Sequence, residues 1–363
     1  MAEKFKFQSI LETFRKEIKE GFYIPGQLLP TENELSLKYA LSRPTISKVY
    51  NQLENEGLVR KKAGSGTMVI FKPAQLKETK TIGLLLPGPG ESEIFEIITD
   101  TILRSSQEKQ IKCLTEGSAA NDAELRKILL IKVCQSYVEQ KVDGVLFSPL
   151  ERADGKDNIN EKVTDMLSKA NIPVVLIDRD IYDFPKRSKY PLIGLDNYKA
   201  GYELALHLLK AGCEKLFFIY IKNSAASVKY RILGIESALK DQGIDTSTLE
   251  LYQIGRTENN LPVFDKKMSG KMGIICANDA TAAFIMQSLR KQGHKIPEEI
   301  KIAGFDDIKY AKHLYVPLTT YRQPCELIAE TALEALDSKL IGNPKAPITI
   351  LLEGKLIERE STK

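Results

Sequence analysis

Chemistry-bearing side chains in this sequence fall directly after short apolar runs. Asp178-Arg179 follows "IPVVLI", Asn278-Asp279 follows "MGIICA" and Asp306-Asp307 follows "IKIAGF". Ser148-Pro149, Asp196-Asn197 and the stretch from Pro87 to Glu93 stand in the same relation to "VDGVLF", "YPLIGL" and "TIGLLL". Neighbouring carboxylates are the equipment of a glycoside hydrolase. The same carboxylates, amides and guanidinium forks also suit a polyol, since each hydroxyl both donates and accepts. A third reading is local, because Asp and Asn after a strand commonly cap the next helix. Residue types alone leave all three open. Five widely spaced cysteines without C-x-x-C, and the histidines His207, His294 and His313, form neither a metal set nor a nucleophile–base pair. The cysteines read as core residues of a protein in a reducing cytoplasm, and no cofactor is expected.

A second polar set lies in "LSRPTISKVYNQLENEGLVRKKAGSGTMVI", from Leu41 to Ile70. Ile46, Val49, Tyr50 and Leu53 recur at i, i+3, i+4 and i+7, the stripe of a helix packed on a core. Ser42 suits its N-cap, Pro44 its first turn and Gly57 its stop. Opposite the stripe stand Arg43, Thr45, Ser47, Lys48 and Gln52. A preceding short helix is signalled by a Thr31/Glu34 capping box. Helix, turn, helix is the arrangement that lays a second helix in a DNA major groove. The hairpin that follows carries Arg60, Lys61 and Lys62, as a wing reaching phosphates would. A solvated helix beside a hairpin occurs in many folds, so spacing leaves the bland alternative standing. "AGSGT" joins two strands and lacks a Gly-Lys-Ser/Thr ending, which argues against a phosphate-cradling loop.

The elements that must position these groups divide the chain. At 363 residues it exceeds one ordinary core. Residues 1–72 hold twelve Lys/Arg against eight Asp/Glu, and the rest is balanced, so the whole net charge of +4 lies where a polyanion would be met. That excess is small, and a homodimer is expected on a two-fold site. No apolar run spans a membrane and no signal peptide opens the chain, which implies a cytoplasmic protein. Boundaries are read at 1–71 for the helix–wing domain, 72–80 for a linker in "FKPAQLKETK", and 81–363 for the remainder. There, apolar strands alternate with helices such as "AGYELALHLLKAG", the pattern of parallel sheets covered on both faces. Ligands in such sheets sit at the carboxyl ends of strands.

Residues 7–70 resemble the winged helix of the GntR family of bacterial regulators. The matching words are Pro25-Gly26, Leu29-Pro30-Thr31-Glu32, Ser42-Arg43, Glu56-Gly57-Leu58 and Gly64-Ser65-Gly66-Thr67. In that family the residues at Arg43, Thr45 and the wing glycine Gly64 touch DNA. Asn33, Ser47 and Ala63 depart from commoner basic or bulkier choices, so the operator sequence does not carry over. The DNA-contacting set is therefore Thr31 and Asn33, then Arg43, Pro44, Thr45, Ser47 and Lys48, with Lys62 and Gly64 on the wing.

From Thr81 to Glu353 the chain resembles the effector domain of lactose-repressor-type regulators, relatives of periplasmic sugar-binding proteins. "VDGVLFSP", "IPVVLIDRD", "GLDNYKAGYELALHLLKAG", "ICANDATAAFIMQSLRKQG", "IPEEIKIAGFDDI" and "PLTTYRQP" carry the likeness in order. The combination resembles the arabinose-repressor branch and implies an α/β fold: an N-terminal winged helix-turn-helix plus a two-lobed domain with parallel sheets. Lobe 1 would comprise about 81–196 and 324–341, and lobe 2 about 197–323 and 342–363. Implied effector contacts are Asp178 and Arg179 in one lobe, Arg231, Asn278 and Asp306 in the other, and Gln323 at a crossover. Glu91 to Phe95 would form the first loop. The partners implied are operator DNA and a small effector, a monosaccharide, with a sugar acid or sugar phosphate as the alternative. An Arg231–Asp306 ion pair is expected in the empty site. An enzyme would need a base or nucleophile that the strand ends, lacking His, do not offer.

Overall fold

The computed structural model divides the chain into two compact units, Met1–Thr79 and Lys80–Lys363. It describes residues 2–19, 22–62, 66–71, 80–88, 92–115, 123–151, 158–183, 185–221, 226–255, 271–337 and 348–363. Most of the expected linker, 72–79, lies outside the described residues, as do Gly64 and Glu91.

The first unit holds α1 (Ala2–Lys19), α2 (Glu32–Tyr39), α3 (Arg43–Asn55) and the antiparallel hairpin β1 (Val59–Lys62) with β2 (Gly66–Val69). Thr31 and Glu34 form the reciprocal capping box at α2. At α3, Ser42 has the extended N-cap backbone but makes no side-chain cap bond; its hydroxyl pairs with Thr45 Oγ1 at 2.8 Å. Gly57, at φ +71°, ends the helix where a side chain would be strained. Ile46, Val49, Tyr50 and Leu53 are buried against Ile10, Phe14 and Ile18 of α1 and Leu35 of α2, so the apolar period fixes which face of α3 is left outward.

The second unit contains two parallel sheets. In chain order its elements are β3 (Thr81–Leu85), α4 (Glu93–Glu108), β4 (Lys112–Leu114), α5 (Ala123–Glu139), β5 (Gly144–Phe147), α6 (Ile159–Lys169), β6 (Val174–Ile177) and β7 (Leu192–Leu195). There follow α7 (Asn197–Lys210), β8 (Lys215–Ile221), α8 (Ala226–Asp241), β9 (Leu249–Ile254), β10 (Met272–Cys276), α9 (Asp279–Lys291), β11 (Ile300–Asp306), β12 (Thr319–Arg322), α10 (Cys325–Asp337), β13 (Thr349–Leu352) and β14 (Lys355–Ile357). One sheet runs β4-β3-β5-β6-β7-β13, the other β9-β8-β10-β11-β12-β14, with only β14 antiparallel. Strands such as Val174–Ile177 are buried throughout, because helices cover both faces: α4 and α10 on one side of the first sheet, α5 and α6 on the other. In the second sheet α7 and α8 face α9 across the strands.

The chain passes between the lobes after β7, after β12 and between β13 and β14. This corrects one expected boundary. The likeness places about 342–363 in lobe 2, yet β13 pairs with β7 in lobe 1, Thr349 opposite Leu192 through Leu352 opposite Leu195. Ile350 and Leu352 pack on the first core. A four-residue alternating strand fits an edge of either sheet, so its pattern carries no lobe address.

Helices α7 and α8 are held unusually close. A Cβ on Gly201 would lie 2.1 Å from the Arg231 carbonyl oxygen, and one on Gly234 would lie 2.0 Å from that of Tyr198. Only glycine permits this approach. It brings Arg231 of α8 beside Asn197, the first residue of α7.

Candidate functional site

In the first unit, Arg43 and Pro44 occupy the first turn of α3 and are exposed, as are Lys48, Arg60, Lys62 and Asn33. Among the described residues Arg43, Lys48, Arg60 and Lys62 make no ion pair. Lys61 is different. Its ammonium donates to Asn51 Oδ1 (2.7 Å), Ser47 Oγ (3.1 Å) and Glu32 Oε1 (3.2 Å), and its backbone N–H donates to Glu54 Oε1 (2.7 Å). The wing strand is thus clipped to α2 and α3 by a cation expected to reach phosphate. Two further candidate contacts have local employment: the Thr31 hydroxyl serves the capping box, and Ser47 Oγ accepts from Lys61. Thr45 is half-buried beside Ser42. Tyr50 anchors the helix from below by donating to the Pro30 carbonyl, and burial pushes its phenol pKa up.

In the second unit the carboxyl ends of the strands bring acids and guanidinium groups together. Asp178, at φ +73°, ends β6, and its carboxylate accepts from Arg179 Nε (2.7 Å) and Nη2 (2.6 Å). Glu151 takes the other arm of the fork, Nη1, at 2.7 Å. Burial, the largest influence on Arg179, lowers its pKa, and Asp178 and Glu151 together more than reverse it. Arg231, 5% exposed, donates from Nε to Asn197 Oδ1 (2.8 Å) and from Nη1 to the Ala277 carbonyl. Its guanidinium lies 4.1 Å from the centre of the Phe305 ring, within cation–π range. Asp306 Oδ1 accepts from Gln323 Nε2 at 2.7 Å. Burial raises the Asp306 pKa, opposed by Arg231 and by the Gln323 hydrogen bond.

The expected Arg231–Asp306 ion pair is not formed. Each group is fixed by an amide at a crossover, Asn197 for the arginine and Gln323 for the acid, and the two feel each other only across space. One other placement is corrected. Phe95 lies inside α4, 2% exposed in the lobe 1 core, because Ser92 ends the preceding loop and Glu93 already begins the helix. Asn278 caps α9, its Oδ1 accepting from the Thr281 N–H at 2.8 Å, so one of its groups is spent on the fold.

Sequence reasoning left Asn197 and Ser148 as strand-end residues without a role and passed over Glu151. Ser148 is 3% exposed, and its hydroxyl has no hydrogen-bond partner among the described residues. Position after a strand was their signal; the partners come from distant segments. Across the lobes, the Lys309 N–H donates to Glu93 Oε1 (3.0 Å) and Lys229 pairs with Asp183 (2.5 Å).

The arrangement offers hydrogen-bond donors and acceptors, and neither histidine nor thiol joins it among the residues bonded here. His207 contacts Thr362 and His294 contacts Glu299, both away from the cleft acids. Burial pushes the thiols of Cys134 and Cys213 up to about 11, far from a thiolate nucleophile. Among the described residues no group of His, Cys, Asp and Glu could hold a metal ion, and no helix is long and apolar enough to cross a membrane.

Residues 7–69 match bacterial regulatory proteins of the gntR family, and residues 205–362 match the periplasmic binding protein-like domain. The arabinose metabolism transcriptional repressor of Geobacillus stearothermophilus is 26% identical over 372 residues, covering 99% of this chain and 98% of the relative. That of Halalkalibacterium halodurans is 26% identical over 377 residues, covering 98% and 96%. A periplasmic binding protein/LacI transcriptional regulator from Alkaliphilus metalliredigens, solved with D-xylulofuranose, superposes with a TM-score of 0.61 at 27% identity, covering 78% of this chain and 99% of that one. The chain thus joins a segment that matches the gntR family to one that matches the periplasmic binding protein-like domain, and it is similar over nearly its whole length to the arabinose metabolism repressors.

Proposed function

We propose that this chain is a sugar-responsive transcriptional repressor whose cleft takes a neutral monosaccharide, such as a pentose, and whose winged helix releases operator DNA when it does. One observation carries the choice of a neutral ligand: both cleft arginines are already occupied. Arg179 is neutralised by Asp178 and Glu151, and Arg231 is spent on an amide, a carbonyl and a ring face. A sugar acid or phosphate entering beside Asp178, Glu151 and Asp306 would find, among the described residues, no cleft arginine without such bonds, and a buried unpaired charge is expensive. Hydroxyls instead find carboxylate oxygens, amide groups and the Ser148 hydroxyl. In this reading Asp178, Arg179, Arg231, Asn278, Asp306 and Gln323 hold the ligand.

The winged helix reads a two-fold operator as one half of a homodimer, with Arg43 at base edges and Lys48 and Lys62 on phosphates. The dimer contact lies on helices flanking the lobes of the effector domain. Sugar that favours the closed cleft shifts the spacing of the two winged helices; a coupling of roughly 1–3 kcal/mol changes operator affinity about 5- to 150-fold.

Thermal unfolding of the full chain with neutral pentoses, hexoses, sugar acids and sugar phosphates tests the ligand class. A ligand at 100 times its dissociation constant should add about 2.7 kcal/mol. A stabilising phosphate with no stabilising neutral sugar would reverse the assignment.

A further inference from the structure

Asp306 and Asp307 both stand at positive φ, 108° and 55°. Residues with a Cβ persist there only where their surroundings over-determine the backbone. Three sets of bonds do so here. The Asp307 N–H donates to Thr320 Oγ1 (3.2 Å), whose hydroxyl donates to the wholly buried Asp279 Oδ1 (2.7 Å). The Ile308 N–H donates to Asp279 Oδ2 at 3.1 Å. The Asp307 carboxylate, with only 6% of its side chain exposed, receives Arg322 Nε and Nη2 on one oxygen and Arg359 Nη2 on the other, each at 2.6 Å.

The two arginines are not equivalent. The Arg322 side chain is 55% exposed, where solvent screens its charge, whereas that of Arg359 is 14% exposed. Arg359 is also fixed in place. Its Nη1 donates to the Leu318 carbonyl (2.8 Å), its N–H donates to Thr319 Oγ1 (2.8 Å), and its carbonyl accepts from that hydroxyl (3.0 Å). Beyond it Ser361 is buried, accepting from the Thr319 N–H and donating to the Ile302 carbonyl. Thr362 is buried too, its hydroxyl bonded to Thr319 Oγ1 and His207.

We propose that Arg359 is a positioning residue for the effector site: acting through Asp307, it holds the left-handed strand end that sets the direction of the Asp306 carboxylate. The inference rests on the cleft being the effector site. Without Arg359, a nearly buried carboxylate loses its best-shielded partner, the turn relaxes toward negative φ, and Asp306 swings away from Gln323 and the ligand.

The test uses the full chain with Arg359→Ala, Arg359→Lys and Thr362→Val. The last loosens the same segment at Thr319 and His207 without touching Asp307. Amide hydrogen exchange over residues 304–309 is measured first, without ligand. Losing a charge-assisted bond should speed exchange at Asp307 and Ile308 about tenfold or more in Arg359→Ala, less in Arg359→Lys, and not in Thr362→Val. The neutral-sugar concentration giving half-maximal operator release should rise about tenfold in Arg359→Ala and stay at the wild-type value in Thr362→Val. Unchanged exchange in Arg359→Ala overturns the proposal. So does an equal loss of sugar response in Thr362→Val, which would mark the segment as merely structural. If no neutral sugar releases the wild type, the effector assignment has failed, and the exchange data still decide whether Arg359 holds the turn.

Discussion

The winged helix and the cleft use the same cations in opposite ways. On the first, Arg43, Lys48, Arg60 and Lys62 are exposed and make no ion pair among the described residues. In the second, Arg179 is bonded through all three guanidinium nitrogens, and the buried Arg231 is bonded through Nε and Nη1 with its face on Phe305. An unengaged surface cation can meet a polyanion at little cost, since both partners shed only loosely held water and counterions. A saturated buried cation has nothing left for an anion and instead shapes a lattice of acceptors and donors for hydroxyls. What distinguishes a charge that recognises a charge from one that builds a neutral site is whether it is already partnered.

The sharpest way to break this contrast is Arg231→Ala. Removing this buried guanidinium strands Asn197 Oδ1 and leaves Asp306 without its opposing charge, a loss on the order of 3 kcal/mol or more. Sugar response should vanish while operator affinity without sugar is unchanged, giving a super-repressor in an operator-binding titration. Release at the wild-type sugar concentration would mean the cleft has been misplaced.

Arg43→Ala tests the other side. A bidentate contact to guanine is worth about 1–3 kcal/mol, lost on operator but not on random DNA. Equal loss on both would leave Arg43 a phosphate contact only. Adjacent lysines then sharpen the comparison within one strand. Lys62→Met should lower the salt dependence of DNA binding by about one unit of slope and leave thermal stability alone. Lys61→Met should do the reverse, costing about 1 kcal/mol of stability through its hydrogen bonds to Asn51, Ser47 and Glu32 while sparing the slope. Identical effects of the two substitutions would erase the distinction.

The smallest expected effect belongs to His207. Burial holds its pKa below the ordinary value, with Lys301 and Lys210 adding to the shift and Glu358 opposing it. The unfolded chain therefore binds its proton first. The stability contributed by neutral His207 is full above about pH 6.5 and is lost as the pH falls through the lower folded value. Unfolding midpoints measured from pH 7.5 to 5 should show a drop that His207→Gln removes.

Much of this architecture was legible in the sequence where period and punctuation coincide. The α3 stripe, the Thr31/Glu34 box and the six apolar runs with their polar successors stand where spacing placed them. Edge strands were harder: Lys112–Leu114 and Thr349–Leu352 are short and half-exposed, so local pattern neither announces them nor assigns their sheet. Site residues were legible as positions but not as bonds. That Asn197 holds Arg231, or that Lys61 turns inward while Lys62 turns out, depends on helices packed through Gly201 and Gly234 and on strand register. Those are long-range facts with no local signature.

Operator affinity of the full chain, titrated at fixed salt in parallel with the neutral pentose that most raises its unfolding midpoint and with that pentose's 5-phosphate, decides the neutral-ligand assignment. On that assignment the neutral sugar weakens operator binding about 5- to 150-fold and the phosphate leaves it unchanged. Release by the phosphate at the lower concentration would contradict it.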